Sequence, residues 1–236
     1  MTAMLASVRN RDEAELAAAL GADLVDLKDP AAGALGALPL ATIRAVVHAL
    51  HGRRPASATL GDLPMEPATL AAAAAATAAA GVDYVKVGLF AHRERRRCID
   101  ALAPLARRAR LIGVFFADEP FDMTLLDALA AAGFAGAMLD TAAKGRGGLR
   151  AHRSDVELGD FVRRARALGL LTGLAGSLGL GDIAPLAALR PDYLGFRTAL
   201  CRRGVRGDAL DPRAFAAVRA RLDACSAAEA GARSAS

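Results

Sequence analysis

Lysine is scarce in this chain, and it is placed where an amine could meet a carbonyl. Of 30 basic residues only three, Lys28, Lys86 and Lys144, are lysines, and the rest are arginines. Arginine stays protonated and cannot form an imine, whereas a lysine amine can. A chain that uses arginine wherever a generic positive charge suffices therefore marks its lysines as chemical. Each lies at or just past the end of a short apolar run, in Asp26-Leu27-Lys28-Asp29-Pro30, Lys86-Val87-Gly88 and Asp140-Thr141-Ala142-Ala143-Lys144. Side chains alternate along a strand, so Asp26 and Lys28 share one face while Val25 and Leu27 share the other, and Tyr84 and Lys86 point inward by the same rule. An ammonium close to a second lysine and partly desolvated gives up its proton more readily, which enlarges the nucleophilic fraction. Asp26 and Asp140 then provide proton transfer and charge compensation.

Residues so far apart in sequence reach one another only if strand ends converge. Apolar runs of four to six residues alternate with longer Ala/Leu/Arg segments of helical period, about eight times and without an obvious linker. The strands expected are Met4–Val8, Leu24–Lys28, Ala56–Leu60, Tyr84–Val87, Leu111–Phe116, Gly136–Leu139, Leu170–Leu174 and Tyr193–Phe196. Helices between them start at capping residues such as Asn10 and Ser154 and end at Gly21, Gly81, Gly133 or Gly169. The fold expected is a single-domain (β/α)8 TIM barrel over residues 1–225, with residues 226–236 as a disordered tail. An open doubly wound sheet is disfavoured because no G-x-G-x-x-G follows the first strand. In such a barrel the active site lies at the C-terminal ends of the strands, where all three lysines fall.

The turn after the seventh strand, Gly173-Leu174-Ala175-Gly176-Ser177-Leu178, offers small residues and free amides at the start of a helix, a usual place for a phosphate in barrels. Gly176 and Ser177 are the expected phosphate contacts, with Arg197 adding a bidentate one. Asp62 and Asp118, after the third and fifth strands, either face the site or serve as turn residues.

Composition narrows the field. The chain is 54% hydrophobic but only 4% aromatic, so its core is built from Ala, Leu and Val. The net charge of +5 comes from acidic and basic residues interspersed along the whole chain, which disfavours nucleic acid as a partner and leaves attraction of anionic metabolites. Cys98, Cys201 and Cys225 are widely spaced without CxxC, and His48, His51, His92 and His152 do not cluster, so no metal site is expected. No apolar run is long enough to span a bilayer and the N-terminus lacks a signal-peptide pattern, which points to the cytoplasm. The Ala-rich helical exterior is compatible with homo-oligomerisation.

Five segments taken together, Asp26-Leu27-Lys28-Asp29-Pro30 with Gly33 and Leu35-Gly36, Ser57-Ala58-Thr59-Leu60-Gly61-Asp62-Leu63-Pro64, Asp83-Tyr84-Val85-Lys86-Val87-Gly88-Leu89, Asp140-Thr141-Ala142-Ala143-Lys144 and Leu174-Ala175-Gly176-Ser177-Leu178, resemble the (5-formylfuran-3-yl)methyl phosphate synthases of methanofuran biosynthesis. The resemblance runs over about residues 4–205, in order and without large gaps. It implies a lyase that condenses two molecules of glyceraldehyde 3-phosphate through a lysine Schiff base, with loss of phosphate and water and with no cofactor. It further implies Lys28 as the Schiff-base residue, Lys86 as the proton acceptor, and Asp26, Asp140 and Lys144 as supporting acid/base positions. Another imine-forming aldolase acting on a sugar phosphate is the alternative within the same chemistry, and a basic binding protein without catalysis is the alternative outside it.

Overall fold

A computed structural model describes residues 1–143 and 145–234, so Lys144 lies outside the described residues. Eight parallel strands, β1 (Ala3–Val8), β2 (Leu24–Leu27), β3 (Ala56–Thr59), β4 (Tyr84–Gly88), β5 (Arg110–Phe116), β6 (Gly136–Asp140), β7 (Leu171–Leu174) and β8 (Tyr193–Phe196), close in sequence order into a barrel, β8 pairing with β1. Every strand read from the sequence is present, with ends shifted by no more than one residue. Around the barrel run α1 (Arg11–Ala19), α2 (Leu40–Leu50), α3 (Pro67–Ala78), α4 (Arg95–Ala106), α5 (Thr124–Ala131), the short α6 (Leu149–His152), α7 (Asp155–Ala167), α8 (Leu180–Ala188) and α9 (Pro212–Ser234). Among the described residues no helix is long and apolar enough to cross a membrane.

The helix-start signals act as expected. Asn10 accepts the Glu13 amide at 2.9 Å, and Ser154 forms a reciprocal capping box with Glu157. At the other end of the barrel, the Gly-x-Asp turns have a shared function. Gly21 and Gly81 adopt φ of +93° and +95°, a conformation glycine takes without penalty. The aspartate two residues on then accepts the first amides of the preceding strand: Asp23 from Met4 at 2.7 Å and Asp83 from Ala56 at 2.8 Å. Asp192 does the same for Thr172 at 2.7 Å. These carboxylates satisfy strand donors at the barrel floor and fix where each β-strand begins.

Two apolar clusters follow from strand alternation. The larger one, including Val25, Leu27, Val85 and Val87, lies between barrel and helices. The smaller fills the barrel interior with Leu5, Ile112, Val114, Phe116, Met138 and Tyr193, and Ala34 and Leu35 of the β2–α2 loop fold onto it from the mouth. With few aromatic residues available, interior volume is matched locally. Tyr193 is 8% exposed and occupies space that a side chain at Gly173 would need, since a Cβ there would overlap the phenol ring. Gly173→Ala is expected to destabilise the barrel by about 1–3 kcal/mol through overpacking. Adding Tyr193→Leu should restore part of the denaturation midpoint, and an unchanged midpoint for the single variant would contradict this packing.

The segment from Ser226 to Ser234, read from the sequence as a tail, continues α9 as helix. Its sequence, Ser226-Ala-Ala-Glu-Ala-Gly-Ala-Arg-Ser234, lacks an apolar stripe but is rich in alanine, the strongest helix former, so propensity extends a helix already anchored by Phe215, Val218 and Leu222.

Candidate active site

The mouth chemistry begins inside the barrel. Ser7 of β1, Asp26 of β2 and Ser57 of β3 are register partners across three neighbouring strands, which brings their inward side chains to one level. Asp26 is fully buried and accepts from the Ser57 hydroxyl at 2.6 Å, the Ser7 hydroxyl at 3.1 Å and the Lys86 ammonium at 3.1 Å. A buried carboxylate held by three donors, one of them cationic, is a fully satisfied group. Lys86 is itself buried, reaching from β4 across the barrel.

Lys28 stands one level higher, just past β2. Its Nζ donates to the Ala34 carbonyl at 3.3 Å and lies 3.6 Å from Oδ2 of Asp140 at the end of β6. The other carboxylate oxygen of Asp140 accepts the Thr141 amide at 2.7 Å. The structure thus gives each of these two lysines its own carboxylate, Asp140 for Lys28 and Asp26 for Lys86. The sequence reading had the four groups converging but did not assign the pairs. Lys28, Lys86 and Asp140 line one pocket at the C-terminal mouth.

The two undecided aspartates hold the loops of this site. Asp62 accepts the amides of Ala34 and Leu35, each at 2.8 Å, and so fixes the loop whose carbonyl receives Lys28. Asp118 accepts the amides of Ala142 and Ala143, each at 2.7 Å, on the loop after Asp140. Burial favours the protonated acid at Asp118, but the two amides outweigh it and hold the carboxyl below its ordinary range. A lowered folded value means that the contribution to stability is complete above the unfolded value and is lost as pH falls through the folded one. The stability gap between the wild type and Asp118→Asn, measured by denaturant unfolding, should be constant above about pH 5 and narrow below about pH 4. A gap independent of pH over that range would contradict the assignment.

Gly176, Ser177 and Arg197 are the residues expected from the sequence to meet a phosphate. Gly176 and Ser177 line the same pocket, both with positive φ, and among the described residues their amides donate to no protein group. They do not, however, start a helix. The next helix begins at Leu180, and its N-terminal amide at Gly179 is already taken by the Asp182 carboxylate at 2.9 Å. Arg197 lines the pocket too, but its guanidinium is engaged elsewhere. It pairs with Glu13 of α1 and donates to the carbonyls of Ser7 (3.2 Å), Arg206 (3.0 Å) and Asp208 (2.8 Å). With five N–H groups on an arginine, none is left for a bidentate phosphate contact. Arg197 is thus a buried brace between α1 and the loop after β8, a pairing across 184 residues of sequence.

Ser7 and Ser57 were missed by reading strand ends alone. Extending the period-two rule from Asp26 to its neighbours would have placed both hydroxyls beside it, because a parallel register sets residues of like depth side by side.

The fold and this mouth define a TIM barrel with two buried amines at one pocket. A family described as 4-HFC-P synthase matches residues 4–219. The chain is 36% identical over 217 residues to the (5-formylfuran-3-yl)methyl phosphate synthase of Methanopyrus kandleri, covering 86% of this chain and 91% of the relative. Identity rises to 48% over 210 residues, 88% of this chain and 86% of the relative, for a Methylorubrum extorquens protein provisionally assigned that activity. The chain belongs to the 4-HFC-P synthase family. Among solved structures, phosphoribosyl anthranilate isomerase from Thermotoga maritima superposes with a TM-score of 0.68 over 95% of this chain and all of that one, at 15% identity, a likeness of fold alone.

Proposed function

We propose that this protein is a (5-formylfuran-3-yl)methyl phosphate synthase of methanofuran-type cofactor biosynthesis. It joins two molecules of glyceraldehyde 3-phosphate through an imine on Lys28. The observation that carries the reading is the pair of buried lysines, each against its own carboxylate, in one pocket of a barrel from this family.

Asp140, 3.6 Å from Lys28 Nζ, takes the ammonium proton so that the free amine attacks the aldehyde carbon of the first triose. The same carboxyl returns a proton to the departing hydroxyl when the carbinolamine loses water. The protonated imine then acidifies the adjacent carbon. Lys86, kept in place by Asp26, exchanges the proton removed there, which generates an enamine. The enamine carbon bonds to the aldehyde of the second triose. Eliminating one phosphate and two waters in all, with hydrolytic release of the amine, balances two triose phosphates against one phosphorylated furan aldehyde. No net oxidation is needed, so the reaction calls for no redox partner. Lys144, which the family resemblance makes a further acid/base group, lies outside the described residues.

Incubation of the protein with glyceraldehyde 3-phosphate alone tests the function. A rising near-ultraviolet band of a furan aldehyde, matched one to one by inorganic phosphate, is the expected result. Neither band nor phosphate would sink the proposal, and a sugar-phosphate aldol product without the band would favour another aldolase.

A further inference from the structure

We infer that Arg206, on the loop that follows β8, is the cation that takes a phosphate of the substrate and holds it against the free amides of Gly176 and Ser177. The inference deepens the reading of this mouth as a triose phosphate site and rests on it.

Four cations line the pocket among the described residues, Lys28, Lys86, Arg197 and Arg206. The first three face Asp140, Asp26 and Glu13 respectively. Arg206 is different. It is half-buried, forms no ion pair among the described residues, and has a single hydrogen bond, from Nη2 to the Gly33 carbonyl at 3.2 Å. Burial pulls its pKa down, while Asp140 pulls it up at longer range and Arg197 pulls it down again. An arginine remains charged through such shifts. A half-desolvated guanidinium with most of its donors unused is costly unless an anion meets it, and phosphate matches its planar fork.

The backbone that carries Arg206 is held firmly. Arg197 Nε donates to the Arg206 carbonyl at 3.0 Å, Arg9 Nη1 to the Gly207 carbonyl at 2.6 Å, and a bridge between Cys201 and Leu210 closes the loop at its base. The Gly33 contact ties the side chain to the β2–α2 loop, next to the Ala34 carbonyl that receives Lys28. A phosphate bound here would lie between the loops after β2, β7 and β8, with its aldehyde end toward Lys28. Such a pre-fixed cradle lowers the ordering cost of binding.

Isothermal titration of the full chain with inorganic phosphate tests this without depending on catalysis. Arg206→Gln is expected to weaken phosphate binding by about 10- to 100-fold, the worth of one to two charge-assisted hydrogen bonds, and Arg206→Lys to give an intermediate loss. Equal affinity in wild type and Arg206→Gln, or no binding by the wild type, would overturn the inference. Unfolding midpoints recorded on the same samples separate a lost cation from a lost fold. The functional reading is distinguished by a parallel borohydride reaction of the wild type with glyceraldehyde 3-phosphate. Arg206-dependent phosphate binding without any lysine adduct would defeat the triose-condensing reading and leave the anion site standing.

Discussion

Replacing Lys28 with arginine is expected to lower furan-aldehyde formation by at least about 10³-fold, because it exchanges the amine proposed to form the imine for a group that cannot form one. The guanidinium keeps a positive charge beside Asp140, whose carboxylate would otherwise lose its lysine partner, and keeps donors toward the Ala34 carbonyl. The unfolding midpoint should therefore move little while activity is lost. That dissociation of stability from turnover is the signature of a nucleophile, and initial rates from the near-ultraviolet furan-aldehyde band, together with a denaturant melt on the same preparation, give both quantities. Substantial synthesis by Lys28→Arg would show that the imine is formed elsewhere.

Removing the carboxylate below it should instead damage the fold. Asp26→Leu leaves the buried Lys86 ammonium without its counter-charge and the Ser7 and Ser57 hydroxyls without their acceptor. Breaking a buried pair from one side costs about 3–5 kcal/mol, far more than the net worth of the intact pair. Lys86→Met in the Asp26→Leu background then removes the stranded charge and should recover a large part of that loss. Equilibrium unfolding of wild type, both single variants and the double variant yields the coupling energy directly. A coupling near zero would mean that Lys86 does not depend on Asp26, and with that the proposed proton store beside the imine would lose its basis. All three variants should lack synthesis, so here stability and activity fall together, unlike at Lys28.

Much of this was legible in the sequence, for reasons that differ by element. The strands were found within one residue because a parallel strand covered by helices is a compact apolar run bounded by turn residues, and all eight share that pattern. Lys28, Lys86, Asp26 and Asp140 were legible because a barrel converts position at a strand end into membership of the mouth. Their pairing was not, since Lys28 to Asp140 and Lys86 to Asp26 depend on depth and on which strands face each other across the barrel. Arg197 was placed at the mouth correctly but assigned to a ligand, because Glu13 gives no local sign that its carboxylate, at the third position of α1, reaches back toward β8. Arg206 went unnoticed for a related reason. It lies in an irregular loop with no periodicity, and only the three-dimensional count of occupied and unoccupied donors distinguishes it from the other arginines of the chain.

In the proposed reaction Lys28, and not Lys86, forms the covalent bond to substrate. Reaction with glyceraldehyde 3-phosphate in the presence of borohydride, followed by proteolysis and peptide mass spectrometry, tests it most directly. A reduced triose phosphate adduct is expected on the peptide carrying Lys28 and is expected to be absent from Lys28→Arg. An adduct found on Lys86, or no adduct in a preparation that makes the furan, would contradict it.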